Sequence, residues 1–263
     1  MKTVILCGGL GTRIRDVAAD IPKPMIEIGG YPILWHIMKY YAHWGHKQFV
    51  LCLGYRGLTI KDFFINYPTR TRDFTITLGP EAQVEYGAQT NVDGTDDWQV
   101  TLAETGLNAM TGARVRRIKR YVDGDENFML TYGDGVGNIP IDELIAFHKS
   151  HGKILTVTAV RPPGRFGELE MDGSSFVTGF NEKPQATGGQ ISGGYFVVRR
   201  EIFDYLEDRE DLVLEQEPFK RLVADGQMAA FDHDGFWLPM DTYRDYRILN
   251  DMWDKGDAAW KVW

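Results

Sequence analysis

The apolar run at residues 3–7 gives way to Gly8-Gly9-Leu10-Gly11-Thr12-Arg13. Glycines at a strand–loop junction let backbone N–H groups approach an anion closely, because no Cβ intervenes. Arg13 adds a planar fork of donors suited to phosphate oxygens. Lys23, between Pro22 and Pro24, adds a second cation on backbone stiffened by proline. The segment lacks the Gly-Lys-Ser/Thr ending of a P-loop, and Ile14 stands where the dinucleotide-binding fingerprint needs glycine. A glycine loop alone reads as a tight turn. With Arg13 and Lys23 both following, it reads as a phosphate site.

Two aspartates are candidates for holding a hard cation. Asp134 lies between Gly133 and Gly135 at the end of an apolar run, and Asp241 lies in Pro239-Met240-Asp241-Thr242. Magnesium takes oxygen ligands and commonly shares itself between one or two carboxylates and substrate phosphates. Each residue has a plainer reading. Asp134 fits a turn. Asp241 fits the N-cap of a helix starting near Thr242, and taken alone that reading has the edge. Glu182 and Lys183, in Phe180-Asn181-Glu182-Lys183-Pro184, place an acid and a base at a strand end; a surface ion pair would look the same. The histidines form no metal motif, and capping or packing accounts for them.

The elements that must position these groups follow from hydrophobic period. Strands are predicted at 3–7, 48–53, 73–78, 99–103, 127–132 and 153–160, with helices at 32–44, 58–67, 111–122 and 140–151. The second half adds short strands at 167–171, 176–181 and 193–198, and helices near 200–207, 215–225 and 242–255. Residues 81–97 are polar and acidic and read as a loop or excursion. The alternation implies an α/β fold: a Rossmann-like, mainly parallel (mixed) sheet flanked by helices. Ligands in such sheets sit beyond the carboxyl ends of the strands. The first strand ends before Gly8 and the 127–132 strand before Gly133, which is where the chemistry is expected.

Bulk properties narrow the partners. The chain has 263 residues, 43% hydrophobic and 25% charged, with net charge -8 at pH 7. That size fits one large α/β domain, taken here as 1–263 with a first half to about 135 and a second half after it. The negative charge argues against a nucleic-acid or membrane-surface binder, since both need a basic face. Cys7 and Cys52 each lie in an apolar run without zinc-ligand spacing, and read as buried, reduced thiols. The apolar run at the N-terminus is too short for a signal-peptide core, and no stretch is long enough to span a bilayer. A cytoplasmic enzyme is the expectation.

Gly8-Gly9-Leu10-Gly11-Thr12-Arg13 followed by Lys23-Pro24-Met25 resembles the signature of the sugar-phosphate nucleotidyltransferases. The resemblance implies the nucleotide-diphospho-sugar transferase type of fold and a role for each matching position. The loop from Leu6 through Gly8, Gly9, Leu10, Gly11 and Thr12 would wrap the nucleotide phosphates. Arg13 would assist the leaving pyrophosphate and Lys23 would contact the phosphate under attack. Asp134 and Asp241 would hold catalytic Mg²⁺. Gly133 would join the nucleotide site, and Glu104, Thr105, Met110 and Thr111 lie in the segment resembling the base site. Glu182 would bond sugar hydroxyls, Lys183 would grip the sugar phosphate, and Gly167, Gly193 and Gly194 would leave room for the hexose.

Further stretches resemble the glucose-1-phosphate cytidylyltransferase branch, among them Pro162-Pro163-Gly164-Arg165-Phe166-Gly167 and Phe236-Trp237-Leu238-Pro239-Met240-Asp241-Thr242. The likeness covers essentially the whole chain. It implies transfer from CTP to a hexose 1-phosphate without a general base, because the attacking phosphate oxygen is already an anion. A thymidylyl- or uridylyltransferase, and a non-catalytic regulatory subunit of the same fold, stay open at this point. A homo-oligomer is expected, with residues 31–44 and the aromatic C-terminus as the suggested contacts.

Overall fold

The computed structural model describes residues 1–9, 21–80, 82–89, 97–162, 168–171, 177–181 and 189–263. The front of the chain runs β1 (Thr3–Leu6), a 3-10 turn (Lys23–Met25), β2 (Glu27–Ile28), β3 (Tyr31–Pro32), α1 (Ile33–His43) and β4 (Gln48–Leu53). Then come α2 (Gly57–Ile65), α3 (Tyr67–Thr71), β5 (Arg72–Thr77), β6 (Gln83–Gln89), β7 (Gln99–Glu104), α4 (Thr111–Arg117), α5 (Lys119–Val122) and β8 (Asn127–Tyr132). The second half has β9 (Gly135–Gly137), α6 (Ile141–His151), β10 (Leu155–Val160), β11 (Glu168–Met171), β12 (Val177–Asn181) and β13 (Ile191–Arg199). A 3-10 segment (Arg200–Tyr205), α7 (Glu217–Ala224), β14 (Met228–His233), β15 (Trp237–Pro239) and α8 (Tyr243–Lys255) complete it.

A seven-stranded sheet in the order β14-β10-β13-β8-β1-β4-β7 forms the centre. β1 pairs in parallel with both β4 and β8. β13 is antiparallel to β8 and to β10, so the sheet is mixed. The front half gives β1, β4, β7 and β8, and the second half gives β10, β13 and β14. β1 is buried throughout and apolar from Val4 to Leu6, as a central strand covered on both faces must largely be. One apolar core gathers α1 with Leu249 of α8 and the Ile141–Ile145 stretch of α6; the other gathers Val115, Ile118 and Leu222 on the opposite side.

Most predicted elements are present with small shifts at their ends. The 111–122 helix divides at Ile118 into α4 and α5. The segment read as a loop at 81–97 contains β6, which pairs antiparallel with β5 into a two-stranded hairpin. β14 was not expected; it adds a parallel edge beside β10. The aromatic C-terminus turns inward: Trp260 is buried, and Trp263 meets Trp35 of α1 edge-on at 5.9 Å between ring centroids. Tyr31 stacks on Trp35 at 4.2 Å. These aromatics pack against one another within the chain.

Candidate active site

The carboxyl ends of β1 and β8 lie side by side, since Leu6 pairs with Tyr132. The Gly133 N–H donates to the Leu6 carbonyl at 3.0 Å, carrying this contact one residue past the strands. A Cβ on Gly133 would press on Leu6 O and on Pro24 Cγ, each at 3.1 Å. Glycine there lets Asp134 follow directly from the strand end beside the Lys23 turn. That turn is held by Met25 N–H to Pro22 O at 2.8 Å and Ile26 N–H to Lys23 O at 3.1 Å.

Asp241 arrives from far along the chain on a small ribbon. β9 and β15 pair antiparallel, Gly135 opposite Pro239, and the Met240 N–H donates to the Asp134 carbonyl at 2.8 Å. The helix cap that Asp241 might have formed is made by its neighbours. The Asp245 N–H donates to Thr242 Oγ1, and Asp245 Oδ2 accepts from the Thr242 and Asp241 N–H groups, forming a capping box on α8. The Asp241 carboxylate is thereby left to face the cleft.

Lys23 Nζ joins the two acids, donating to Asp134 Oδ2 at 2.7 Å and to Asp241 Oδ1 at 2.5 Å. Burial alone would lower the Lys23 pKa, but the two carboxylates outweigh it and raise it above the usual range. The lysine stays charged at every physiological pH. Two carboxylates already converge on one cation, with oxygen donors only, so this pair fits a divalent ion of the Mg²⁺ class. Among the described residues no group of three or more His, Cys, Asp or Glu converges, so substrate oxygens and water would complete the shell.

Two cavities meet at this cluster. One, of about 560 Å³, is lined by the Leu6–Gly9 strand end, Lys23, the 107–111 segment, Tyr132, Gly133, Asp134 and Asp241. The other, of about 240 Å³, is lined by Gly193 and Gly194 of β13, Trp237 and the same Tyr132, Asp134 and Asp241. The Tyr132 ring forms a shared wall. Gly194 has φ +76°, and a Cβ there would lie 2.5 Å from that ring, so glycine is needed for both reasons. Tyr132 Oη donates to Glu215 Oε1, and Thr111 Oγ1 donates to Glu215 Oε2 at 2.7 Å. Burial, then the Glu215 carboxylate, push the phenol well above its usual range, so it remains a neutral donor.

The expected site residues therefore sort by place. Leu6, Gly8, Gly9, Lys23, Met110, Thr111, Gly133, Asp134 and Asp241 line the larger cavity, and Gly193 and Gly194 line the smaller. Glu104 and Thr105 line neither. The Glu104 carboxylate pairs with Lys61, and the buried Thr105 hydroxyl donates to the Leu53 carbonyl at 2.6 Å. Leu10, Gly11, Thr12, Arg13, Gly167, Glu182 and Lys183 lie outside the described residues.

Arg114 was not foreseen as a site residue. It is almost fully buried and lines the larger cavity from behind. Its guanidinium donates to the carbonyls of Leu53 at 2.9 Å, Gly106 at 2.9 Å and Gly8 at 3.0 Å, and to Thr105 Oγ1 at 2.8 Å. It ties the glycine-rich strand end to the 105–107 segment. The sequence held one signal: Gly8 and Gly54 follow neighbouring strands, and a Cβ on either would collide with this guanidinium.

Lys23 and two acids thus meet beyond the carboxyl ends of β1 and β8, the place where open α/β sheets hold their ligands, and two adjoining cavities open there. The chain belongs to the nucleotidyl transferase family, whose sequence pattern matches residues 2–253. It is 46% identical over its full length, and that of the relative, to glucose-1-phosphate cytidylyltransferase of Salmonella typhi. It is 42% identical, again at full length on both sides, to a probable glucose-1-phosphate cytidylyltransferase of Bacillus subtilis strain 168. Among solved structures, HddC from Yersinia pseudotuberculosis superposes with TM-score 0.67 at 24% identity, over 96% of this chain and 99% of the other. A UDP-glucose pyrophosphorylase complexed with UDP-glucose superposes with TM-score 0.69 at 12% identity, over 97% and 98%. These two likenesses establish the mixed-sheet nucleotidyltransferase fold.

Proposed function

We propose that this chain transfers the cytidylyl group of CTP to α-D-glucose 1-phosphate, giving CDP-glucose and pyrophosphate. The observation that carries the reading is the position of Lys23, Asp134 and Asp241 where the two cavities join. The full-length similarity to glucose-1-phosphate cytidylyltransferases supports the choice of base and sugar. CTP belongs in the larger cavity, with its base toward the 107–111 segment, and the hexose in the smaller one beneath Gly193 and Gly194.

A phosphate oxygen of the sugar phosphate attacks the α-phosphorus in line. The new O–P bond forms as the α–β bridging bond breaks, and its electrons leave on pyrophosphate. The nucleophile is already an anion, so no general base is needed, and catalysis comes from positioning and charge stabilisation. Lys23 turns from the carboxylates toward the α-phosphate, Arg13 neutralises the leaving phosphates and Lys183 holds the sugar phosphate. Mg²⁺ bound by Asp134 and Asp241 would supply positive charge shared between the two anionic substrates. We place the enzyme in the cytoplasm as a homo-oligomer; the two buried cysteines, both thiols, fit a reducing compartment.

Pyrophosphate release with glucose 1-phosphate and each of ATP, GTP, CTP, UTP and dTTP tests the reading. CTP is expected to exceed dTTP and UTP by at least about tenfold in kcat/KM, roughly 1.4 kcal/mol of transition-state discrimination. Equal or better turnover with dTTP or UTP would move the protein to a thymidylyl or uridylyl specificity. No release with any NTP would favour a non-catalytic subunit.

A further inference from the structure

The 107–111 wall of the larger cavity is held from the second half of the chain. The Met110 N–H donates to the Glu210 carbonyl at 2.9 Å, and the Ala113 N–H to the Leu212 carbonyl at 3.2 Å. A Cβ on Gly112 would lie 2.8 Å from Leu212 Cγ, so glycine lets the segment before α7 pack this closely. The last contact runs through side chains. Thr111 Oγ1 accepts the Leu214 N–H at 2.9 Å and donates to Glu215 Oε2 at 2.7 Å. The other Glu215 oxygen takes the Tyr132 hydroxyl, so the carboxylate is held at both ends.

These bonds fix the polarity of the Thr111 hydroxyl. A hydroxyl has one hydrogen and two lone pairs, and a carboxylate accepts without donating. The Thr111 hydrogen therefore stays on Glu215, and the Leu214 N–H occupies one lone pair. One lone pair is left, on a residue that lines the larger cavity. Its partner must be a donor. Asn108, the other polar side chain of this wall, carries both an amide donor and a carbonyl acceptor, and by turning over it suits either kind of partner. Leu107 and Met110, 60% and 48% exposed, offer apolar surface to the face of a ring and no polarity to read.

Cytosine carries an amino donor at ring position 4, where uracil and thymine carry an oxygen acceptor. A hydroxyl that can only accept bonds the first and repels the second. We infer that Glu215 sets the choice of base: by holding the Thr111 hydrogen, it makes that hydroxyl a fixed acceptor for the 4-amino group of CTP. Thr111 touches the base, and Glu215 acts through it as a positioning residue. The inference rests on the cytidylyl reading above, with the base toward the 107–111 segment.

The ratio of kcat/KM for CTP over that for UTP, with glucose 1-phosphate saturating, tests it. In Glu215→Ala the hydroxyl regains its rotation. The ratio is expected to fall about five- to tenfold, the worth of one hydrogen bond, and the change to sit in KM more than in kcat. Thr111→Val is expected to lower the ratio similarly, and Thr111→Ser, which keeps the hydroxyl, to retain it. A merely structural role for Glu215 would weaken both nucleotides alike; an unchanged ratio in Glu215→Ala would overturn the inference and leave the cytidylyl reading standing. A wild-type enzyme that prefers UTP or dTTP would remove that reading itself. Should Glu215→Ala fail to fold by far-UV dichroism, wild type decides with the triphosphate of 2-pyrimidinone riboside, which has hydrogen in place of the 4-amino group. Hydrogen there neither bonds nor repels, so kcat/KM is expected to descend from CTP through the pyrimidinone to UTP. A pyrimidinone no better than UTP would show that no fixed lone pair opposes the uracil oxygen, and would overturn the inference.

Discussion

Lys23 holds two acidic partners that a metal would also claim. In the absence of substrate it acts as an internal cation that keeps Asp134 and Asp241 close without mutual repulsion. Lys23→Met is therefore expected to act in two opposite directions. Metal affinity without nucleotide should rise several-fold, because the competing ammonium is gone, while turnover falls on the order of 10²-fold with loss of the charge on the α-phosphate. Mn²⁺ binding followed by electron paramagnetic resonance, set beside pyrophosphate release, separates the two effects. Unchanged metal affinity would mean that Lys23 does not compete at that site. Residue types flagged Lys23 and Asp134, because a cation between prolines and a carboxylate between glycines are local patterns, whereas Asp241 read first as a helix cap and only the family resemblance put it at the metal. Arg114 left only a faint trace, in the glycines at 8 and 54, because most of its partners are backbone carbonyls, which no residue type records.

Elements decide between readings that single residues leave open. Asp241 could have been a helix cap or a cleft carboxylate, and the Thr242–Asp245 capping box settles the matter by taking the cap itself. Thr242→Ala is expected to cost about 1 kcal/mol in urea unfolding. It should also lower kcat by about tenfold, because the box orients the residue beside it. A loss of stability with full activity would uncouple the cap from the site. β6 escaped the sequence reading for an instructive reason. Gln83-Val84-Glu85-Tyr86 alternates polar and apolar as a strand should, yet its setting in an acidic, polar stretch outweighed the pattern. β14 was missed between a helix and a turn-rich segment, and only its pairing with β10 defines it.

At the scale of the whole molecule, buried neutral histidines tie stability to pH. The Lys153 N–H donates to His151 Nδ1, His151 Nε2–H to Thr156 Oγ1, the Thr156 hydroxyl to His148 Nδ1, and His148 Nε2–H to Asn127 Oδ1, all within 3.1 Å. The acceptor role of His151 Nδ1 needs that imidazole neutral, and burial keeps His148 neutral beside it. Burial first, then nearby positive charge, lowers the His148 pKa to about 4, and burial lowers that of His36 to about 4 as well. The unfolded chain has these groups near 6.5. Between pH 6.5 and 4 the unfolded state binds protons that the folded state refuses. Stability is thus full above about 6.5 and falls as pH drops through that window, each histidine contributing up to about 3 kcal/mol. Urea midpoints between pH 7.5 and 5 are expected to fall, and a flat profile would show that these imidazoles accept protons in place. The alternation of strands and helices made the mixed sheet legible in advance. The meeting of Asp241 with Asp134 was expected only through the family resemblance, because the three-residue ribbon of β9 and β15 that brings it about is too short for any period to register.

Convergence of distant acids on one transferring phosphorus is tested most directly by a double-mutant cycle on pyrophosphate release from CTP and glucose 1-phosphate, using Asp134→Asn, Asp241→Asn and both together. A shared ion makes the two residues act as a unit: each single change should lower kcat by on the order of 10²-fold or more, and the pair by little beyond that. Losses that multiply independently, or a single variant close to wild type at limiting Mg²⁺, would contradict it.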